Sequence, residues 1–384
     1  QLSVLGDSPP GHNDWAYFGG RWFVSFPPLP AVLLLPLVAI WGTDTLDALV
    51  WALVGGVAPA LLFALLRRLR LQGVSDRSAV EDLLLVVLFA FGSVYFFVAV
   101  QGSVWFAAHV VSSALLMLYL YWALDARRPA LAGWMLGLSF MTRASTLFAA
   151  PLLLLEALRV CRRGELDGGP RREGSWSDLV ADLDLGEALR RCLWFALPLM
   201  LVGGLAAWHN NARFEDPFEF GHSYLQIRWR PRIERWGLFS YHYLPRNLGI
   251  VMASLPWLTS QAPYLAISRH GLALWLTSPN LVWLLWPSRW FVRQQNLYLC
   301  AGLLALVDLL YQNSGWIQFG YRFSLDYMPL LIVALALGGR PLGAGFRVFL
   351  SAAVLINAFG AWSFDRAWQY YDDDHTQTRI FQPD

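Results

Sequence analysis

Gln318-Phe319-Gly320-Tyr321-Arg322-Phe323-Ser324-Leu325-Asp326-Tyr327 leads without interruption into an apolar segment that continues to Leu337. It sets two charges, an amide and four aromatic rings at the mouth of a run suited to hydrocarbon. A charged side chain there costs about 3 kcal/mol on insertion scales, so it is paired, snorkelled to the interface or functional. A second dense patch, Trp208-His209-Asn210-Asn211-Ala212-Arg213-Phe214-Glu215-Asp216-Pro217-Phe218, closes another apolar run. If both patches face the same side of a membrane, that side carries a polar, aromatic site.

The composition agrees with a chain threaded through a membrane many times. It is 57% hydrophobic and 15% charged, with 20 Trp and 24 Phe, far above the usage of soluble proteins. Every basic residue is Arg, a usage that suggests a GC-rich genome. These arginines are scattered among the connections, so the net charge of +2 gives no reason to expect nucleic acid. Cys161, Cys192 and Cys300 are widely spaced, show no metal-ligand pattern and predict no disulfide. The sequence opens at Gln1 without Met and without a signal peptide, and reads as a fragment whose true N-terminus, with a first span, lies upstream.

Runs near the length of a bilayer crossing predict an all-α, polytopic transmembrane helical bundle of about ten spans. They fall at 47–66, 81–99, 105–124, 130–142, 146–160, 191–208, 271–287, 296–312, 324–338 and 345–363. The run 29–41 follows Phe26-Pro27-Pro28 and is too short to cross, so an interfacial or re-entrant helix is expected. Arg67, Arg68, Arg70 and Arg77 place 67–80 inside by the positive-inside rule. Alternation then puts Arg127, Arg128, Arg289, Arg293, Arg340 and Arg347 inside. The basic stretch from Arg159 to Arg191 stays inside only if 130–160 is two short helices broken at Thr142-Arg143.

One membrane domain over 1–384 follows. It has an outer loop at 1–46, a cytoplasmic loop at 161–190, an outer loop at 209–270 and an outer tail at 364–384. Within the cytoplasmic loop, Ser177 to Leu185 begins with an N-cap and an acidic first turn, and predicts a surface-lying amphipathic helix. Both polar patches face outward. So do Arg228, Arg230, Arg232 and Arg235, a Trp-flanked basic segment that suits either an anionic partner or an interfacial anchor.

In this order the motifs resemble membrane glycosyltransferases of the GT-C class, such as protein mannosyltransferases and aminoarabinose transferases. Gly20-Arg21-Trp22-Phe23-Val24-Ser25-Phe26 is similar to a Gly-Arg-aromatic stretch of related bacterial sequences. Phe26-Pro27-Pro28-Leu29-Pro30 through Ile40-Trp41-Gly42 resembles a Pro-Pro-Leu motif followed by an apolar helix ending in Gly. Gly137-Leu138-Ser139-Phe140-Met141-Thr142-Arg143 resembles a Gly-Leu-x-x-Leu-Thr-Lys/Arg motif, and Trp208 to Phe220 an Asn-x-x-Arg-Phe-Gly-x-Pro-Phe pattern, with Glu215-Asp216 at its Gly. The likeness covers most of residues 15–340.

The resemblance implies a GT-C-like fold in the bacterial inner membrane, acting on its periplasmic face. The donor would be a polyprenyl-phosphate-linked sugar, the acceptor a hydroxyl arriving from water, and the catalytic group an outer-loop carboxylate acting as general base. Cations must meet the leaving phosphate, and Arg offers a permanent bidentate charge. The family's carboxylate usually follows the first span directly, a region that would precede Gln1; Asp14 is the best surrogate here, and its other reading is an Asx-turn. Arg143, at a helix break, and Arg322 are the expected phosphate ligands, though Arg322 also has the spacing to pair with Asp326. His209, Asn210, Asn211, Arg213, Gln318 and Tyr321 suit sugar hydroxyls and ring faces, or an interfacial cap. No metal site is assigned, although Glu215, Asp216 and Glu219 offer oxygen ligands for Mg²⁺ or Mn²⁺. His109, one turn into its span, predicts a core hydrogen bond to Ser112, Ser113 or another helix.

Three functions compete. The first is the glycosyltransferase, with membrane lipids and the sugar donor as partners and the sugar and acceptor unidentified. The second is a non-catalytic GT-C-like scaffold within a larger membrane assembly. The third is a transporter, disfavoured because ionisable residues gather at one face, with Asp308 the main mid-span exception.

Overall fold

The computed structural model describes residues 3–5, 14–162 and 183–372. Asp7, His12, the surface helix expected from Ser177 as far as Asp182, and residues 373–384 of the outer tail lie outside them. Apolar runs punctuated by Gly, Pro and charge dictate helices, and the described chain is mostly helical. In order these are α1 (Leu29–Trp41), α2 (Asp47–Val54), α3 (Val57–Leu71), α4 (Ala79–Ala90), α5 (Tyr95–Gln101), α6 (Val104–Ala123), α7 (Pro129–Phe140) and α8 (Pro151–Val160). They continue with α9 (Leu185–Phe214), α10 (Arg230–Trp236), α11 (Leu244–Ala253), α12 (Leu274–Thr277), α13 (Val292–Leu310), α14 (Met328–Leu337) and α15 (Ala344–Ser363).

Among the described residues four segments are long and apolar enough to cross a membrane: Asp47–Leu71, Val104–Ala126, Leu185–Phe214 and Ala344–Ser363. The α4–α5 pair, bent by 56°, makes a fifth if it is one span. The expected count of about ten therefore falls to four or five by length and composition. The reasons are local. The run 271–287 breaks at Ser278-Pro279 into the single turn of α12 and a 3-10 stretch at Pro279–Leu285. α13 has the length but carries Arg293, Gln294, Asn296 and Asp308, all buried in protein. α7, α8 and α14 are short, and 130–160 does break after Phe140, as the motif at Thr142-Arg143 predicted.

The expected all-α class also needs amending. β1 (Trp15–Phe18) and β2 (Arg21–Val24) form a hairpin, and β3 (Trp257–Leu258), β4 (Leu265–Ser268) and β5 (Tyr371–Asp372) form a second small sheet. The hairpin turn is Gly19-Gly20, both at positive φ, the geometry that a two-residue turn between twisted strands demands.

α6 is the hub: 61% of its apolar window is buried inside the protein, against 22% for α9. Its neighbours include α3, α5, α7 and the 3-10 turn Arg322–Asp326. α9 packs on α7 across Gly133 and Gly137, one helical turn apart. A Cβ on Gly133 would sit 2.2 Å from the Phe195 carbonyl oxygen, and one on Gly137 2.9 Å from Val202 Cβ. Only glycine lets the two backbones approach so closely, as small residues do between membrane helices.

At the C-terminal end of α6 a buried ionic cluster ties the following turn, Leu124–Ala126, to α8 and α13. Arg159 donates to Asp125 at 2.6 Å and to Glu156 at 2.8 Å, and Arg293 donates to Asp125 at 2.7 Å. Asn296 donates to Glu156 at 3.0 Å. Desolvated charges persist only where such mutual satisfaction is nearly complete. This cluster fixes the end of the bundle remote from the site described next.

Candidate functional site

The site begins with the hairpin. α9 ends on Phe214, whose ring packs among Phe18, Phe23 and Tyr224. Arg213 Nη1 donates to the Val24 carbonyl at 2.8 Å. Gln226 N–H donates to the Trp15 carbonyl at 3.3 Å. The strands are thus pinned on both sides, and Asp14, the residue before β1, is held over the N-terminal end of α6. The Trp105 side chain hydrogen-bonds its carboxylate, and Arg322 lies within electrostatic reach. Burial lifts the carboxyl from 3.8 to about 6, against the opposing pull of Trp105 and Arg322. Burial thus holds the Asp14 carboxyl above the usual carboxylate range.

Arg322 is 6% exposed. Nη1 donates to the Ile317 carbonyl at 2.7 Å, and its backbone N–H to Gln318 Oε1 at 2.9 Å. Nε is buried without a partner. Among the described residues no carboxylate forms an ion pair with it. Burial first, and then the like charge of Arg143, push the guanidinium down to about 9, so it stays cationic at neutral pH. The Phe106 ring lies 5.2 Å from its Cζ and the Phe323 ring 5.5 Å.

The expected Arg322–Asp326 pair is not formed. Asp326 instead takes Arg143, from the helix break, in a bidentate fork: Nε to Oδ1 at 2.6 Å and Nη2 to Oδ2 at 2.7 Å. Ser145 Oγ also donates to Asp326. Asp308 stands 3.9 Å from Arg143 Nη2. Arg143 Cζ sits 4.9 Å from the same Phe323 ring that touches Arg322, so the two cations share one aromatic wall. Arg143 Nη1 has no hydrogen-bond partner among the described residues. The break at 141–143 makes this possible, because it frees Arg143 from α7 and lets it reach the turn before α14.

Asp14, Arg143 and Arg322 are therefore brought together. Several other expected site residues have their polar groups committed to the fold. Gln318 donates to the carbonyls of His270 and Ser314, both at 2.7 Å, and accepts from Arg322 N–H, so its amide is committed to folding this loop. Asn210 donates to the Pro217 carbonyl at 3.2 Å and accepts from Arg213 at 3.0 Å, which makes both residues braces of the α9 end. His209 is half-buried beside Arg213, and Asn211 is exposed on the same terminus. Tyr321 is fully buried with its hydroxyl unpartnered, against Phe323. Asp216 and Glu219 accept from backbone N–H groups of their own turns, and no group of three or more His, Cys, Asp or Glu placed to hold a metal occurs among the described residues. The basic outer segment forms α10, where Arg230 pairs with Glu234 at 2.8 Å. The three cysteines are free.

Sequence reasoning missed part of the wall. His109 makes no hydrogen bond to Ser112, which pairs with Ser139 at 3.1 Å; its Nδ1 lies 3.7 Å from Asp326 Oδ1. His222 faces Tyr311 at 6.5 Å, and burial, then Arg213 and Arg143, hold it neutral with its pKa down to about 4. Tyr311 and Phe323 complete the lining at 6.1 Å from each other. An ionisable residue inside an apolar run, as at His109 and Asp308, was the available signal for these. Searches against protein-family models, curated proteins and solved structures give no significant match to this chain.

Proposed function

We propose that the chain is a membrane glycosyltransferase that moves a sugar from a polyprenyl-phosphate donor to an acceptor hydroxyl, with chemistry at the Asp14–Arg322 site. One observation carries the reading: the Asp14 carboxylate lies within electrostatic reach of the buried Arg322 guanidinium, to which no acid is bound among the described residues. In a glycosyl transfer those are the two groups required, a base for the acceptor and a cation for the leaving phosphate.

In the reaction the acceptor oxygen attacks the anomeric carbon as the bond from that carbon to the phosphate oxygen breaks. The departing phosphate takes the bonding electron pair, and its growing negative charge is met by Arg322 Nε and Nη2, assisted by the open Nη1 of Arg143. Asp14 accepts the acceptor's proton. Asp326 and Asp308 position Arg143, and Trp105, Phe106, Phe323 and Tyr311 exclude water, which strengthens each charge interaction. The resemblance to GT-C enzymes supports the lipid-phosphate donor and the periplasmic side of a bacterial inner membrane. The helices of membrane length support an acyl-chain donor entering sideways.

The test is donor binding. Purified protein in nanodiscs should bind polyprenyl phosphate, and Arg322→Gln should weaken binding by about tenfold or more, the scale of one lost charge-assisted contact. Asp14→Asn, which removes a negative charge beside the phosphate, should bind at least as tightly as wild type. Equal binding by wild type and Arg322→Gln would overturn the assignment.

A further inference from the structure

We infer that the chain holds an anionic phospholipid in a cationic groove at the end of the bundle opposite Asp14. The groove, about 460 Å³ in volume, lies between the turn after α6, the start of α7 and the first turns of α9. Among the described residues Arg127, Arg128, Arg190 and Arg191 line it against one carboxylate, Glu187. Glu187 is already shared by two of these cations, at 2.7 Å from both Arg190 Nε and Arg191 Nε. Arg191 further donates to the carbonyls of Asp125 at 3.4 Å and Ala126 at 3.2 Å, so it is part of the frame.

Arg127 and Arg128 are different. Both are exposed, and among the described residues neither forms an ion pair; each rests on the Trp122 ring, at 5.9 and 5.2 Å from its centroid. The ring holds both guanidinium groups beside the groove that the two residues line. The N-terminus of α7, opening at Pro129-Ala130-Leu131, adds N–H groups without intrahelical partners to the same space. Phosphate oxygens fit this donor set.

The surroundings select a lipid rather than a soluble phosphate. Trp194 lines the groove, and the same face of α9 continues through Leu197 and Leu201, all three more than half exposed. A headgroup in the groove would lay its acyl chains along this face. α6, with 20 residues, is about 30 Å long at 1.5 Å per residue, one hydrocarbon thickness, so the groove just beyond its C-terminal end falls at headgroup level of the leaflet remote from Asp14. The positive-inside rule makes that leaflet cytoplasmic, where anionic lipids attract basic clusters. This inference does not depend on glycosyl transfer.

The test uses the full chain, purified in a mild detergent. Its thermal midpoint and its lipid retention in native mass spectrometry are measured with phosphatidylglycerol, with phosphatidylcholine of the same acyl chains, and with soluble glycerol 1-phosphate. Phosphatidylglycerol should raise the midpoint and be retained, and the other two should do neither. The double variant Arg127→Ala/Arg128→Ala should lose roughly 30-fold in preference for phosphatidylglycerol, while Arg127→Lys/Arg128→Lys keeps most of it. Trp194→Ala should weaken retention of phosphatidylglycerol, whose acyl chains it would contact. A double alanine variant with wild-type preference, or glycerol 1-phosphate acting as strongly as the lipid, would overturn the inference.

Discussion

Asp14 and Arg322 face each other across the N-terminal end of α6 without forming a direct ion pair: Trp105 hydrogen-bonds the carboxylate, and Ile317 holds one edge of the guanidinium. A closed pair would neutralise both groups. This open one leaves the carboxylate and the guanidinium separately addressable, as the proposed transfer requires.

The first prediction concerns pH. Only the carboxylate form of Asp14 accepts a proton, so activity should rise with pH through about 6 and level off above it. Stability runs the other way. Because the folded state raises this carboxyl from 3.8, it favours the proton, and the stabilising contribution of protonation is lost as pH rises from about 4 through about 6. A pH–rate profile beside a pH–unfolding profile checks both signs. Asp14→Asn should abolish the acid limb and lower kcat by about 10²–10⁴-fold.

Arg322 should not tolerate lysine. An ammonium lacks the planar fork that lets one guanidinium edge bond Ile317 while another presents two parallel N–H groups to a phosphate. Arg322→Gln should cost about 10²–10³-fold in kcat, and Arg322→Lys should fall between it and wild type. Steady-state kinetics on both variants, with circular dichroism to verify folding, decides this.

Asp326→Asn should be among the most destabilising single changes near the site. It leaves the Arg143 guanidinium, now gripped by a bidentate fork, with only the more distant Asp308. Breaking such a pair costs about 3 kcal/mol. Adding Arg143→Met in the same chain should recover part of the loss, and a double-mutant cycle from chemical unfolding measures the coupling.

Gly133→Leu should separate α7 from α9, since even the Cβ collides with the Phe195 carbonyl. Strain of about 1–3 kcal/mol or more is expected, read as a lower thermal midpoint. Gly203, whose added Cβ would meet nothing within 4 Å, is the control: Gly203→Ala should be neutral or slightly stabilising.

Much of this was legible in the residues, and the failures have physical causes. Helical hydrophobic runs identify the long spans, and Thr142-Arg143 announces the break that gives Arg143 its reach. Asp14, Arg143 and Arg322 were readable because charge or a break at an apolar boundary is costly and therefore conspicuous. The partner of Asp326 was not. Spacing of four within a sequence suggests a local pair, but residues 322–326 form a 3-10 turn, which turns Asp326 toward the broken helix instead. Gln318 and Asn210 were read as sugar ligands because amides look the same whether they serve a loop or a substrate. Asp125, Glu156, Arg159 and Arg293 form a buried cluster that no local pattern reveals, since its members come from three separate elements. The span count was too high because 271–287 has the apolarity of a crossing without the uninterrupted helix, and α13 has the helix but carries Arg293, Gln294, Asn296 and Asp308.

The most direct measurement is transfer itself. Wild type, Asp14→Asn and Arg322→Gln are reconstituted in proteoliposomes with a panel of radiolabelled polyprenyl-phosphate sugars and a membrane extract as acceptor source, and release of polyprenyl phosphate is followed. Wild type should consume at least one donor, Asp14→Asn should bind that donor without consuming it, and Arg322→Gln should do neither at comparable concentration. Donor consumption at the wild-type rate by both variants would contradict the central claim.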